Sequence, residues 1–460
     1  MTKKIALIVL NICFIGIFVL ALLTFTKQKG TFNDEKIISQ SVFKEKTFAA
    51  APFEIDLDGG IKAWMMEEKS VPLVALDFYF DKAGYTFDDE NKEGLAFFVA
   101  SMLTKRAGDM DDTTFQSFLE ENAIDLKIHA SEDIFEISLI TPKQNLETAA
   151  MLLKAVLSMP NTNDDDILVA KSKQSTAIDM QNENPEIVLS NRFKEKLFGH
   201  HPKARISIGE KQSVESFEPN DIVAFVKKHF NKNNLKIALV GDLTKEEGTA
   251  FLNTLFEKLP DFGESKDLPS VMPNYDGPEE NIKRDIPQVI SIFAASGAPR
   301  LSDDFYPLYI ANEIFGGSGL SSRLNVRARE KEGLTYGAYT YLDSDEDAPR
   351  IVGSFSAAKE NYKKMRFILL DEWQKMATKG VTKEEVDTIK NSMLSAFNLR
   401  FASLSSVAKQ LLYMQKENLG IDFFQKRNEY VAKVTFEAVN AAAKKYFANK
   451  PLILTIGNNE

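Results

Sequence analysis

The segment "VKKHFNKNNLKIALVGDL", residues 226–243, returns at the end of the chain as "AKKYFANKPLILTIGNNE", residues 443–460. Each runs from a basic helix end through an aromatic pair and a turn into an apolar strand of the buried type. Two further echoes keep the same order: "PKQNLETAAMLLKAVL" from Pro142 matches "AKENYKKMRFILLDEW" from Ala358, and "DDDILVAKSK" from Asp164 matches "KEEVDTIKNS" from Lys383. The offsets stay between 216 and 219 residues, which marks an internal duplication. Within the first copy, "IKAWMME" and "VPLVALDFYFD" are rich in β-branched and aromatic residues and read as strands. "NKEGLAFFVASMLTKRA" places Leu95, Phe98, Val99, Met102 and Leu103 on one apolar helix face, and "DTTFQSFLEEN" is a second helix opened by an aspartate cap. The strands "IDLKIHA" and "DIFEISLI" follow, then long helices from Gln144. Consecutive strands alternating with blocks of helices predict an α+β fold, two homologous halves in which helices cover an antiparallel-rich mixed sheet.

At 460 residues and 44% hydrophobic content the chain is too long for one ordinary core. The expected organisation is a membrane anchor or signal segment at 1–26, a tether at 27–52, a first half at 53–258, a linker at 259–282 and a second half at 283–460. Pro260, Pro269, Pro273 and Pro278 interrupt every regular pattern in the linker. Residues 5–25 form a 21-residue apolar run with Asn11 as its one strongly polar member, long enough to cross a bilayer as a helix. No small-residue cleavage site follows, which favours an uncleaved anchor. Lys3 and Lys4 hold the short N-terminus inside, so the bulk of the chain is expected to be inner membrane-anchored or secreted to the periplasm. The single cysteine, Cys13, lies in the apolar run, so the exported part can form no intrachain disulfide. A net charge of −10 with mixed signs argues against nucleic acid as a partner, because phosphate binding needs clustered cations.

The segment "EGLAFFVASML", residues 93–103, resembles the zinc helix of the pitrilysin/insulinase peptidase family, which includes the mitochondrial processing peptidases. In that family the frame reads Gly-Leu-Ala-His-x-x-Glu-His-Met-Leu: the two histidines hold zinc and the glutamate is the general base. Here those positions are Phe97, Ala100 and Ser101, and the family's downstream glutamate ligand falls on Ala177, ahead of an Asn-Pro turn. Phe and Ala can neither ligate a metal nor take a proton. The remaining candidates are His129, His200, His201 and His229; none lies three or four residues from another, so they read as surface or hydrogen-bonded residues, with no metal site in this chain.

The second half keeps more of the pattern. "IFGGSGLSSRLNVRAREKEGLTYGAYTYL", residues 314–342, resembles the family's Gly-rich stretch, its Ser-Ser-Arg-Leu helix start and its Arg-Glu-Lys-x-Gly-Leu-x-Tyr block. Taken singly, Arg329 reads as part of a charged helix face and Tyr336 as a strand aromatic; in this frame they match the Arg and Tyr that contact the substrate carbonyl. Gly316, Gly317 and Gly319 are read as a hinge or substrate-contacting loop, since no Gly-Lys-Ser/Thr follows them to make a phosphate loop. The resemblance implies a clam-shell pair of halves around a chamber. It further implies a catalytically incomplete subunit whose homologous partner bears the zinc, with peptides as substrates. Two alternatives stand beside it: a non-catalytic binding or scaffold protein of the same fold, and a self-sufficient metallopeptidase with relocated ligands.

Overall fold

Leu73–Asp81 is buried at seven of its nine positions, because it forms the third strand, β3, of a sheet covered on both faces. The computed structural model describes residues 51–397 and 401–457, so the anchor expected at 5–25 and nearly all of the tether lie outside the described residues. Around β3 run β1 (Phe53–Asp56), β2 (Lys62–Glu67), β4 (Asp125–Ala130), β5 (Ile134–Pro142) and β6 (Leu235–Gly241), in the order β1-β2-β6-β3-β5-β4. The last strand, β6, inserts between β2 and β3, parallel to the first and antiparallel to the second. A second sheet repeats this wiring with β7 (Glu280–Ile282), β8 (Gln288–Ser296), β9 (Ala338–Asp343), β10 (Arg350–Ala358) and β11 (Leu452–Ile456), ordered β7-β11-β8-β10-β9. The final strand, β11, again inserts beside the first, parallel to β7 and antiparallel to β8. The fold class expected from the repeats is therefore borne out.

The helices of the first half are α1 (Leu95–Leu103), α2 (Asp112–Glu121), α3 (Leu146–Ser158), α4 (Asp164–Glu183), α5 (Pro185–Phe198), α6 (Lys211–Glu215), α7 (Pro219–His229) and α8 (Lys245–Phe256). Those of the second are α9 (Phe305–Asn312), α10 (Arg323–Asn325), α11 (Tyr362–Thr378), α12 (Lys383–Ala396), α13 (Leu404–Lys416), α14 (Phe423–Lys433) and α15 (Phe436–Tyr446). Their starts follow local chemistry: Asp111 accepts the Thr114 amide at 2.8 Å, and Asn184 caps α5 just before its first-turn proline. The aromatic pair that carries the repeat is explained by packing. Phe230 stacks on Phe80 of β3 at 4.3 Å and ties the end of α7 to the first sheet, while its counterpart Phe447 lies 4.4 Å from Trp373 of α11 and ties the end of α15 to that helix.

Each half lends one helix to the other. Leu189, Phe193 and Leu197 of α5 pack with Leu452, Leu454 and Ile456 of β11 and with Ala294 of β8. In the reverse direction α13 lies on β3 and β6, where the Gln415 side chain donates to the Ile237 carbonyl at 2.8 Å. The two exchanged helices stand at corresponding places in the two repeats, so the exchange is reciprocal. The stretch expected as linker has no regular element through residue 279, but its last three residues, Glu280–Ile282, are β7 of the second sheet. Among the described residues, no helix is long and apolar enough to cross a membrane.

Candidate functional site

The helix that resembles the zinc helix keeps a firm frame. Asp88, itself buried, accepts the amides of Gly94 at 2.8 Å and Ala96 at 2.9 Å and so satisfies the start of α1. Burial pushes the Asp88 carboxyl up to about 7, against the opposing pull of those amides and of Arg205. Gln174 on α4 donates to the carbonyls of Gly94 at 3.1 Å and Ile208 at 2.8 Å, pinning both segments. Gly94 sits at φ +89°, where a Cβ would stand 2.5 Å from the Ile208 oxygen. Only glycine permits that approach.

Inside this frame the metal-binding chemistry is gone. Phe97 and Ala177 pack against the first core, Ala100 is buried in it, and the Ser101 hydroxyl donates to the Phe98 carbonyl at 2.8 Å. The donor set does not fit a zinc ion, because a phenyl ring, a committed hydroxyl and a methyl stand where two nitrogen ligands and a carboxylate are required, and a second methyl, that of Ala100, stands where the general base would be. Among the described residues, no group of three or more His, Cys, Asp or Glu side chains converges to hold a metal. His229 is buried, hydrogen bonded through Nδ1 to the Lys82 carbonyl at 2.8 Å, and burial lowers its pKa to about 4. His201 bridges the Pro269 carbonyl and the Lys203 amide, while His129 and His200 are exposed.

Arg329 and Tyr336 are built differently. α10 continues as a π-helical turn, Val326–Lys331, closed by the Leu334 amide on the Ala328 carbonyl at 2.8 Å. Asn325 ties this turn to the sheet: its side chain donates to the Ala338 carbonyl at 2.8 Å and accepts the Ala338 amide at 2.9 Å. The same amide group reaches the Gly319 carbonyl at 2.9 Å, so one buried side chain fixes the glycine stretch, the helical turn and the start of β9. Thr335 then donates to the Ser356 carbonyl at 2.6 Å and accepts the Gly337 amide at 3.1 Å, which leaves Tyr336 at the apex, 82% exposed. Arg323 is bound by Glu385 and Arg327 by Asp371 and Glu372. Arg329, two residues on, is exposed and forms no ion pair among the described residues.

The glycines expected as a hinge or substrate-contacting loop lie in short helical turns. Glu313–Gly317 is one π-helical turn, and Gly316 is buried so closely on Thr340 that a Cβ would meet its hydroxyl at 2.6 Å. Gly319, at φ +65° with open space around it, starts a short 3₁₀ turn. Asn325, Asp88 and Gln174 were not singled out from sequence. Gln174 stands one helical turn before Ala177 on the same face, and an Asn between Leu324 and Val326 is the polar exception that marks a satisfied buried group.

Residues 216–393 match the family model described as the peptidase M16 inactive domain. A protein of Helicobacter pylori called the non-peptidase homolog YmxG is 24% identical over 380 residues, covering 82% of this chain and 88% of that protein. Among solved structures, a peptidase M16 inactive domain from Pseudomonas fluorescens superposes with a TM-score of 0.82 at 24% identity, covering 89% of this chain and 98% of that one. A protease from Helicobacter pylori superposes at 0.78 with 17% identity, covering 88% of this chain and 99% of that one. The fold is thus that of the M16 peptidases. Residues 216–393 are similar to the peptidase M16 inactive domain, and the resemblance of residues 93–103 and 314–342 points to the same family.

Proposed function

We propose that this chain is the non-hydrolytic subunit of a two-chain peptidase, lending Arg329 and Tyr336 to a homologous partner that carries zinc and the general base. The observation that carries this reading is the contrast within one segment: Arg323 and Arg327 are spent on carboxylates, whereas the Arg329 guanidinium and the Tyr336 phenol stand exposed and uncommitted on a backbone clamped by Asn325. Preorganised donors of this kind stabilise a developing oxyanion on a substrate carbonyl. They have no role in hydrolysis without a metal-activated water, which the residues around Phe97 cannot supply. Peptides or unfolded segments are the expected substrates, and the periplasmic face of the inner membrane is the expected place.

Mixing supplies the test. The purified chain alone, and the zinc-bearing homologue alone, should each leave an unstructured peptide intact, and the two together should cleave it. Chelator-sensitive cleavage by this chain in isolation, with near-stoichiometric zinc, would instead establish a self-sufficient enzyme with relocated ligands. A second reading, a scaffold that takes no part in hydrolysis, draws on the name of the Helicobacter pylori relative, a non-peptidase homolog. It differs in outcome, since a scaffold's partner keeps full activity when Arg329 and Tyr336 are altered.

A further inference from the structure

Arg300 lies in the turn between β8 and α9, half-buried, with its guanidinium carbon 4.2 Å from the Phe305 ring centre, 5.4 Å from Tyr306 and 5.3 Å from Phe423. Its Nε donates to the Tyr413 hydroxyl at 3.2 Å. Glu417 is near enough to feel the charge, but its carboxylate accepts the Ser344 hydroxyl at 3.3 Å and makes no ion pair with Arg300. A guanidinium offers five N–H donors in a planar fork. Ring faces attract the cation but accept few of those hydrogen bonds, so a half-buried arginine stacked on three aromatics is short of a counter-anion.

Beside it opens a cavity of about 440 Å³. Its walls are apolar, made by Leu301, Pro307, Leu419, Tyr430 and Val434 together with the Phe423 ring, and Lys433 adds a second cation at the edge. Ligand sites have this composition, apolar walls with a few polar groups that fix orientation, and volumes of roughly 300–1,000 Å³. None of these residues belongs to the segment that presents Arg329 and Tyr336, so the site stands apart from the proposed function.

We propose that this cavity binds an apolar group bearing a carboxylate, the carboxylate paired in bidentate fashion with Arg300 and the apolar part lying against Phe423, Tyr430 and Leu419. Two sources share that chemistry: the C-terminal residue of a peptide, and a free aryl or alkyl carboxylic acid. Asp303, on the same wall, disfavours a ligand with a second anionic group there.

Titration calorimetry on the intact chain tests the assignment with three probes: an acetylated tetrapeptide ending in Phe with a free carboxylate, the same peptide as its C-terminal amide, and 3-phenylpropionate. The expected result is saturable binding of at least one acid probe and at least a roughly tenfold loss for the amide. Binding of the peptide acid alone identifies a chain end as the ligand; binding of 3-phenylpropionate as well shows that the small acid suffices. Arg300→Met should weaken the acid probe by roughly tenfold or more. Ala438→Phe, which fills the cavity from the half-exposed face of α15 and leaves Arg300 in place, should do the same. The assignment is overturned if neither acid binds at millimolar concentration, if the amide matches the acid, or if Ala438→Phe leaves binding unchanged.

Discussion

Asp77 lies in the middle of β3, only 2% exposed, where α13 from the second half crosses the first sheet. Ser138 hydrogen bonds its carboxylate, but Oδ2 has no partner, and burial raises the pKa from 3.8 to about 6. Glu136 pushes it the same way, while Lys409 and Lys127 pull it down without making contact. A folded-state pKa above the unfolded one means that the native protein binds this proton more tightly. The stability it contributes is full below pH ~4 and is lost as the pH rises through about 6. At about 1.36 kcal/mol per decade, the gap between 3.8 and about 6 leaves the folded state weaker by about 3 kcal/mol at neutral pH than with a neutral group. Asp77→Asn, close to the protonated acid in shape and charge, should therefore raise unfolding stability by about 2–3 kcal/mol near pH 7.5 and by almost nothing near pH 4. His229 works in the opposite direction, since its pKa of about 4 makes the folded state lose stability as the pH falls below about 6.5. Urea unfolding of both proteins across that range is the assay, because the difference between them cancels His229 and every other shared group. A variant less stable than the parent at neutral pH, or a difference independent of pH, would refute the reasoning.

Four further outcomes are expected. Asn325→Ala should cost about 2–4 kcal/mol in urea unfolding, because it leaves the Ala338 amide and carbonyl buried without partners. Asp345→Asn removes the carboxylate that pairs with the buried Lys203 across the two halves, and a loss of about 3–5 kcal/mol at neutral pH is the expected reading. Gly94→Ala, at a positive φ with the Ile208 oxygen in the way, should destabilise by more than about 2 kcal/mol, seen as a lower urea midpoint with an unchanged slope. Restoring the family pattern with Phe97→His, Ala100→Glu, Ser101→His and Ala177→Glu together should give a chain that retains about one zinc per molecule through gel filtration, since Asp88 and Gln174 still hold the helix frame.

Much of the fold is legible in the sequence because the duplication repeats physical constraints as well as letters. Phe230 and Phe447 recur since each fills the apolar core of its own half, and the long apolar β3 and β6 announce strands buried on both faces. What stayed hidden depends on partners distant in sequence. The amphipathic patterns of α5 and α13 show that each has a face to bury, but not that each buries it on the other half's sheet. β7 is not legible in the sequence because three residues, two of them polar, carry no period, and only pairing with β11 makes them a strand. At the site, the degenerate positions and the Arg329 and Tyr336 pair were visible as residue types in a frame. The clamp of Asn325, the cap of Asp88 and the aromatic stack on Arg300 were not, because side-chain hydrogen bonds and ring contacts leave no periodic trace.

The role proposed for this chain is to supply transition-state contacts to a zinc ion held by a partner. The direct measurement is kcat/KM for peptide cleavage by the reconstituted pair with Arg329→Ala or Tyr336→Phe in this chain, at unchanged zinc content and unchanged complex formation. A fall of roughly 10²–10³-fold, mainly in kcat, is the predicted result. Full activity with both residues replaced would contradict the account and leave a scaffold in its place.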